Sequence, residues 1–152
     1  MKTYDEIVKS IHKRNENLIY NFQGWLKRGG LGEKSVGKHV DNISFFLNEF
    51  VVYQDISEDD EKITLCNAED GIDFVDDFLG YWFIRKAMWS SESSIKSNTT
   101  SIKKFYTFME SLGLISKEEL KVLNKEIKES KQEWIDSVNR YNNLDVDYDD
   151  VW

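Results

Sequence analysis

Residues Ser91–Gly113 read SESSIKSNTTSIKKFYTFMESLG, and this stretch carries the clearest fold signal in the chain. Its apolar residues recur at intervals of three, four and seven: Ile95, Ile102, Phe105, Met109 and Leu112. That spacing is typical of one face of an amphipathic helix. Ser91 or Ser93 can cap the start of the helix, and Gly113 ends it. The stretch therefore predicts a helix with one buried face.

The same periodicity occurs in four further stretches, which predicts five helices in all. Their apolar stripes run from Tyr4 to Leu26, Val36 to Phe50, Phe74 to Phe83 and Leu120 to Tyr141. The chain has no proline, so nothing interrupts long helices. Ser116 and Glu119 form a capping box, which predicts that the fifth helix begins at Lys117. Ile63–Leu65 resembles a strand but is too short for a sheet.

Length and composition predict one domain. The 152 residues contain 40% hydrophobic residues, enough for a sizeable core, and no Gly/Ser-rich linker. We therefore expect an all-α fold: a compact bundle of four helices plus a long C-terminal fifth helix. Residues 1–142 form the predicted domain, and residues 143–152 an acidic C-terminal tail.

Charge is distributed unevenly along the sequence. The net charge is −8, but residues 55–80 carry −9 and residues 143–152 carry −4, whereas residues 1–54 and 81–142 are mildly basic at +2 and +3. The total argues against a nonspecific nucleic-acid coat, yet it permits a local basic face. No apolar run is long enough for a membrane span. The single cysteine, Cys66, excludes a disulfide framework, favours a cytoplasmic location and fits a small buried hydrophobe.

Motifs that superficially suggest chemistry have simpler explanations. Gly29–Ser35 resembles a phosphate-binding loop, but a helix precedes it and Glu33 separates glycine from lysine, so a helix–helix turn is expected. Asp145, Asp147 and Asp149 have the alternate spacing of a calcium loop, but Asp150 stands where that loop needs glycine. His12 and His39 are isolated surface or boundary positions. We expect no catalytic residue, no cofactor and no metal site.

Two polar stretches remain as candidates for contact with DNA. One lies at the start of the second helix and the other along the fourth. Helix N-termini that carry hydroxyls and lysines suit phosphate oxygens, because their free N–H groups and the helix dipole favour anions. The candidate residues are Lys34, Ser35, Lys38, Ser94, Lys96, Ser97, Thr100, Lys103 and Lys104.

The order of these elements resembles the core-binding, SAM-like N-terminal domain of tyrosine recombinases, the family of phage integrases. Leu31-Gly32-Glu33-Lys34-Ser35 is similar to the G-L-S-x-x-T start of that domain's second helix. Ile63-Thr64 with Val75-Asp76-Asp77-Phe78-Leu79 resembles its "i-T…d-v-x-x-F-L" segment. The stretch from Ser91 through Gly113-Leu114-Ile115 resembles its fourth helix and exit. The similarity covers roughly residues 15–115.

The resemblance implies a four-helix SAM-like bundle in the domain over residues 1–142. It also implies that the second and fourth helices approach duplex DNA, through the nine candidate residues above. A recombinase further needs an H-x-x-R pair and a nucleophilic tyrosine on a second domain. Here His12 is followed by Lys13-Arg14-Asn15 and His39 by Val40-Asp41-Asn42, so we expect DNA binding without catalysis.

A protein-interaction module that no longer binds DNA is the alternative function. It is favoured by the net charge of −8 and by the tail, in which acidic residues alternate with Val146, Tyr148 and Val151. Such a segment could dock into a hydrophobic groove of a protein partner, or onto its own bundle with Trp152 as the anchor. The heptad-like stripe of the fifth helix is the expected surface for a homodimer.

Overall fold

The computed structural model describes the backbone of residues 2–59 and 61–150, and side chains as far as Asn143. Its α-helices are α1 (Tyr4–Arg28), α2 (Glu33–Phe45), α3 (Val75–Asp77), α4 (Phe83–Lys86), α5 (Glu92–Ser111) and α6 (Lys117–Asp150). These described residues contain no strand and form a helical bundle with a long C-terminal helix. The predicted all-α class is therefore confirmed.

Local sequence signals set the helix ends. The Ser91 side chain accepts a hydrogen bond from the Ser94 N–H, and the Ser94 hydroxyl accepts one from the Ser91 N–H, which closes a capping box at the start of α5. Glu119 N–H donates to Ser116 Oγ at 3.0 Å, and Ser116 N–H donates to Glu119 Oε1 at 3.1 Å. The prediction that the last helix begins at Lys117 is confirmed.

Two of the predicted helices are not regular α-helices along their whole length. α2 continues as a π-helical turn over Phe46–Phe50 and a 3-10 turn over Val51–Tyr53. The third predicted helix consists of a 3-10 turn over Asp70–Phe74, then α3, a π-helical turn over Phe78–Trp82, and α4. Consecutive large side chains are fully buried in both π-helical turns, Phe46 with Leu47 and Phe78 with Leu79.

α5 contributes the largest set of buried aromatic side chains. Phe22 of α1 meets Phe105 edge to face at 5.3 Å between ring centroids, and lies 5.6 Å from Phe108. The buried Tyr106 hydroxyl donates to the Ala68 carbonyl at 2.8 Å. This hydrogen bond connects α5 to the loop just before the Asp70–Phe74 turn. Its apolar surroundings raise the Tyr106 pKa well above the ordinary value, so the hydroxyl remains a donor at neutral pH.

The acidic connection between α2 and α3 folds back on itself without forming a sheet. Ile56 N–H donates to the Thr64 carbonyl at 2.8 Å, and Cys66 N–H donates to the Gln54 carbonyl at 3.1 Å. The described residues of this connection form only isolated β-bridges, which agrees with the short strand-like signal at Ile63–Leu65. Cys66 is fully buried, as expected, and burial raises the pKa of its thiol to about 12.

The last helix includes most of the acidic C-terminal residues. The backbone of α6 continues without interruption through residue 143 to Asp150, so residues 143–150 extend the helix. Asn142 Nδ2 donates to the Ser90 carbonyl at 3.2 Å and secures α6 just before this extension. Val151 and Trp152, and with them the predicted anchor, lie outside the described residues.

Candidate nucleic-acid interface

A buried polar seam joins α2 to α5. Asn42 Nδ2 donates to the Ser97 and Ser101 hydroxyls at 3.0 and 2.9 Å, and His39 Nδ1 lies 2.7 Å from Ser101 Oγ. From His39 to Asn42 the partner on α5 moves from Ser101 back towards Ser97, so the two helices run in opposite directions. The seam places the two helices predicted to contact DNA side by side.

The surroundings of His39 favour its neutral form. The Ser101 hydroxyl donates to the Ser97 carbonyl at 3.1 Å and accepts from Asn42, which leaves its second lone pair for a donor at His39 Nδ1. A neutral imidazole with its proton on Nδ1 fits that arrangement. Burial lowers the pKa of His39 below its ordinary 6.5, and the positive charge of Lys104 lowers the pKa further.

Stability is expected to fall on acidification in a way that depends on His39. Between its lowered folded pKa and the unfolded value of 6.5, the unfolded chain binds more protons, so unfolding becomes easier as the pH falls. Urea unfolding at pH values from about 7.5 to 5.5 should show a steeper loss for the wild type than for His39→Gln. Equal slopes for the two proteins would contradict this coupling.

The outer side of α5 presents an exposed stripe of polar residues. Lys96, Thr100 and Lys103 are four and three residues apart, so they share one helix face, and all three are exposed. The Lys96 ammonium lies 3.5 Å from Glu92 Oε2 one turn earlier, whereas Thr100 Oγ1 donates to the Lys96 carbonyl. On the other side of the seam, Lys38 is exposed one turn before Asn42.

α6 adds a second set of cations beside this stripe. Residues from α5 and α6 line an open cleft of about 540 Å³, which we call the basic cleft: Thr99, Thr100, Lys103, Asn124, Ile127, Lys128 and Lys131. No carboxylate is among these residues, although the chain has 28 acidic side chains. Three ammonium groups with hydroxyl and amide partners suit the phosphate oxygens of a nucleic-acid strand.

The nine predicted residues fall into two groups in the structure. Lys34, Ser35, Lys38, Lys96, Thr100 and Lys103 are exposed, and Lys104 is partly exposed beside His39. The other two have structural partners: the Ser94 hydroxyl completes the cap of α5, and the Ser97 hydroxyl accepts from Asn42. A hydroxyl near a helix start can therefore serve the helix itself instead of a ligand.

Sequence reasoning did not identify the residues that α6 contributes. Asn124, Lys128 and Lys131 are four and three residues apart, a spacing that places them on one side of a helix. That signal was present in the sequence. Their position next to Lys103, however, follows only from the packing of α6 against α5.

The opposite side of α6 is acidic. A second cleft of about 290 Å³ has an apolar floor of Ile72, Val122 and Leu123 and a rim of carboxylates from Asp73, Glu118, Glu119 and Glu126. Burial raises the pKa of Glu126, and the neighbouring charges of Asp76, Asp73 and Asp77 raise it further. Cations and carboxylates thus lie on opposite sides of one helix, which gives a locally basic face in an acidic protein.

Comparisons of the chain with protein-family models, with curated proteins and with solved structures find no match. No helix in the described part of the chain is long and apolar enough to cross a membrane. The same residues bring together no group of three or more histidine, cysteine, aspartate or glutamate side chains suited to a metal ion.

Proposed function

We propose that this chain is a non-catalytic module that binds duplex DNA through one basic face, formed by α2, α5 and α6. The observation that carries the proposal is the basic cleft, in which lysines from two helices face a shared space and none of the described lining residues is a carboxylate. Lys34 and Lys38 extend the face onto α2. Among the described residues, none of these lysines lies within 4.0 Å of a carboxylate, whereas Lys96 on the adjoining stripe lies 3.5 Å from Glu92.

The dimensions of the face suit a DNA backbone. Lys96 and Lys103 are seven residues apart, which corresponds to about 10 Å along α5 at ~1.5 Å per residue. A DNA strand carries one phosphate per ~3.4 Å of helix axis, so with α5 parallel to the duplex axis the stripe spans about three phosphates. The acidic side of α6 repels DNA, which orients the molecule with its basic face towards the duplex.

The resemblance to the core-binding domain of tyrosine recombinases agrees with the use of the second and fourth helices, and it stays a prediction. Because the H-x-x-R pair is absent from the sequence, we propose binding without strand cleavage. DNA binding also agrees with the cytoplasmic location that the single cysteine favours.

Removing three lysines from the face is expected to weaken DNA binding at least tenfold. The Lys103/Lys128/Lys131→Ala variant loses three phosphate contacts, so the slope of log affinity against log salt should decrease by about three. Fluorescence anisotropy with a labelled random duplex of about 30 base pairs, at about 50 and 150 mM salt, measures both quantities.

A matched triple variant controls for total charge. Lys9, Lys13 and Lys62 are exposed and lie outside the clefts of α5, so Lys9/Lys13/Lys62→Ala changes the net charge equally. Binding of this control should stay close to that of the wild type. Equal weakening of both variants, or no binding by the wild type at the lower salt, would contradict the proposal.

A protein-interaction module is the second candidate, favoured by the acidic cleft on the other side of α6. Val122 on its floor is 67% exposed and is surrounded by carboxylates. An apolar floor with an acidic rim suits a basic amphipathic segment of a partner protein. Docking through the acidic C-terminal segment and homodimer formation through α6 remain predictions. Absence of DNA binding at low salt would favour this candidate.

A further inference from the structure

A third cleft lies where α1 ends and meets α5. It has a volume of about 480 Å³ and is lined by Trp25, Leu26, Arg28, Gly29, Leu31 and Lys104. No carboxylate is among its lining residues. Two cations and one indole therefore share a single concave space. Lys104 follows Ser101 of the α2–α5 seam by three residues and is next to Lys103 on α5, so the cleft adjoins the basic face.

The indole of Trp25 forms a supported wall of this cleft. It stacks on Phe22 at 6.2 Å between ring centroids, with 23° between the planes, and lies 5.7 Å from Phe108. Both of these phenylalanines are almost fully buried, whereas Trp25 is only partly buried. The core thus holds one part of the indole in place while the remainder lines the cleft. A flat aromatic surface held in this way is what a nucleobase stacks against.

The two cations are placed on the rim by different elements. The Arg28 side chain folds back along α1, where a methyl group added at Gly24 would lie 3.2 Å from Arg28 Nη1. Glycine at position 24 leaves room for the guanidinium, which can bind a phosphate through two N–H groups. Lys104 approaches from α5 and supplies a second positive charge.

We propose that this cleft binds one unpaired nucleotide of a DNA strand, with the base against Trp25 and the phosphate between Arg28 and Lys104. Its combination of an aromatic wall with two cations matches the way proteins hold single strands, by stacking and by phosphate attraction. The inference rests on the proposed function, because Lys104, one of the nine residues predicted to contact DNA, lines this cleft. The protein would then prefer duplexes that carry a single-stranded end.

The test compares a blunt duplex of about 20 base pairs with the same duplex carrying a short 3′ thymidine overhang. We expect the wild type to bind the overhang duplex about 5- to 150-fold more tightly, the range expected for one stacked base. Arg28→Ala should abolish most of that preference. Lys27→Ala is the matched control, since Lys27 is exposed on the same turn of α1 and does not line the cleft.

A second variant, Trp25→Leu, keeps an apolar side chain but removes the flat ring. It should lose the preference for the overhang while its affinity for the blunt duplex stays unchanged, with circular dichroism to verify folding. Equal wild-type affinity for both duplexes would overturn the inference and leave the proposed function standing. No binding to either duplex would overturn both.

Two further outcomes would also overturn the inference. If Lys27→Ala and Arg28→Ala reduce the preference equally, total charge and not the cleft is responsible. Titration with free dTMP distinguishes binding of a nucleotide within a DNA strand from binding of a free nucleotide. Saturable dTMP binding without any preference for the overhang would assign the cleft to free nucleotides instead of DNA.

Discussion

Replacing Trp134 by alanine is expected to lower the free energy of unfolding by about 3–5 kcal/mol, because it removes a large buried side chain. Trp134 of α6 is 1% exposed, and its indole Nε1–H donates to Asp76 Oδ1 at 2.7 Å. A methyl group at Gly80 would lie 3.0 Å from Trp134 Cδ1, so the ring fills the space that this glycine leaves. Alanine would leave a cavity where α6 packs against the α3–α4 segment.

Urea unfolding followed by circular dichroism measures this loss. Trp134→Phe is the graded control: it keeps most of the apolar surface and removes the indole donor, so a smaller loss of about 1–2 kcal/mol is expected. The Asp76 carboxylate is exposed and can exchange its lost partner for water. A loss below about 1 kcal/mol for Trp134→Ala would show that α6 is not anchored by this ring.

Replacing Phe78 by alanine is expected to cost a similar amount, about 3–5 kcal/mol. Phe78 is fully buried in the π-helical turn, with its ring centroid 4.9 Å from that of Phe46, 5.2 Å from Phe50 and 5.5 Å from Phe83. The substitution therefore removes one side of several aromatic contacts at once and leaves a cavity between α2 and α4.

The same unfolding measurement applies to Phe78→Ala, with Tyr81→Ala as the matched control. Tyr81 belongs to the same π-helical turn but is 62% exposed, and its ring lies 3.8 Å below the Arg85 guanidinium. Removing this exposed cation–π contact should cost at most about 1 kcal/mol. Similar losses for Tyr81→Ala and Phe78→Ala would indicate that the turn itself, and not the aromatic cluster, stabilises the fold.

Helix identity and helix ends were predictable because they depend on neighbours along the chain. The stripe through Ile95, Ile102 and Phe105 identified the buried face of α5, and all three residues are fully buried. Ser116 with Glu119 located the start of α6 at Lys117. Such signals act within one helical turn, so no knowledge of the tertiary fold is needed to use them.

The winding of the third predicted helix was not predictable in the same way. The stripe from Phe74 to Phe83 is compatible with an ordinary α-helix, yet the segment contains 3-10, α and π turns. Packing decides between these windings, because each of them directs Phe78, Trp82 and Phe83 to a different neighbour. A periodic pattern indicates which residues are buried, but not what they are buried against.

The candidate site was likewise predictable from the sequence only in part. The candidate lysines on α2 and α5 were identified from the sequence. In the structure Lys104 is partly exposed and the others are exposed. Ser94 and Ser97 were included because hydroxyls at a helix start suit phosphate. The structure shows one in a cap and the other accepting from Asn42. Since a cap and a phosphate site use the same hydroxyl groups, spacing alone does not distinguish them.

The sequence by itself determined the all-α class, the positions of the helices and the side of each helix that is apolar, because these follow from local backbone hydrogen bonding and from periodicity. Only the tertiary structure decided that Lys128 and Lys131 of α6 join Lys103, and that Arg28 and Lys104 flank Trp25. Charges that are distant in sequence become neighbours only when the apolar faces pack, because burial of those faces decides which helices lie side by side.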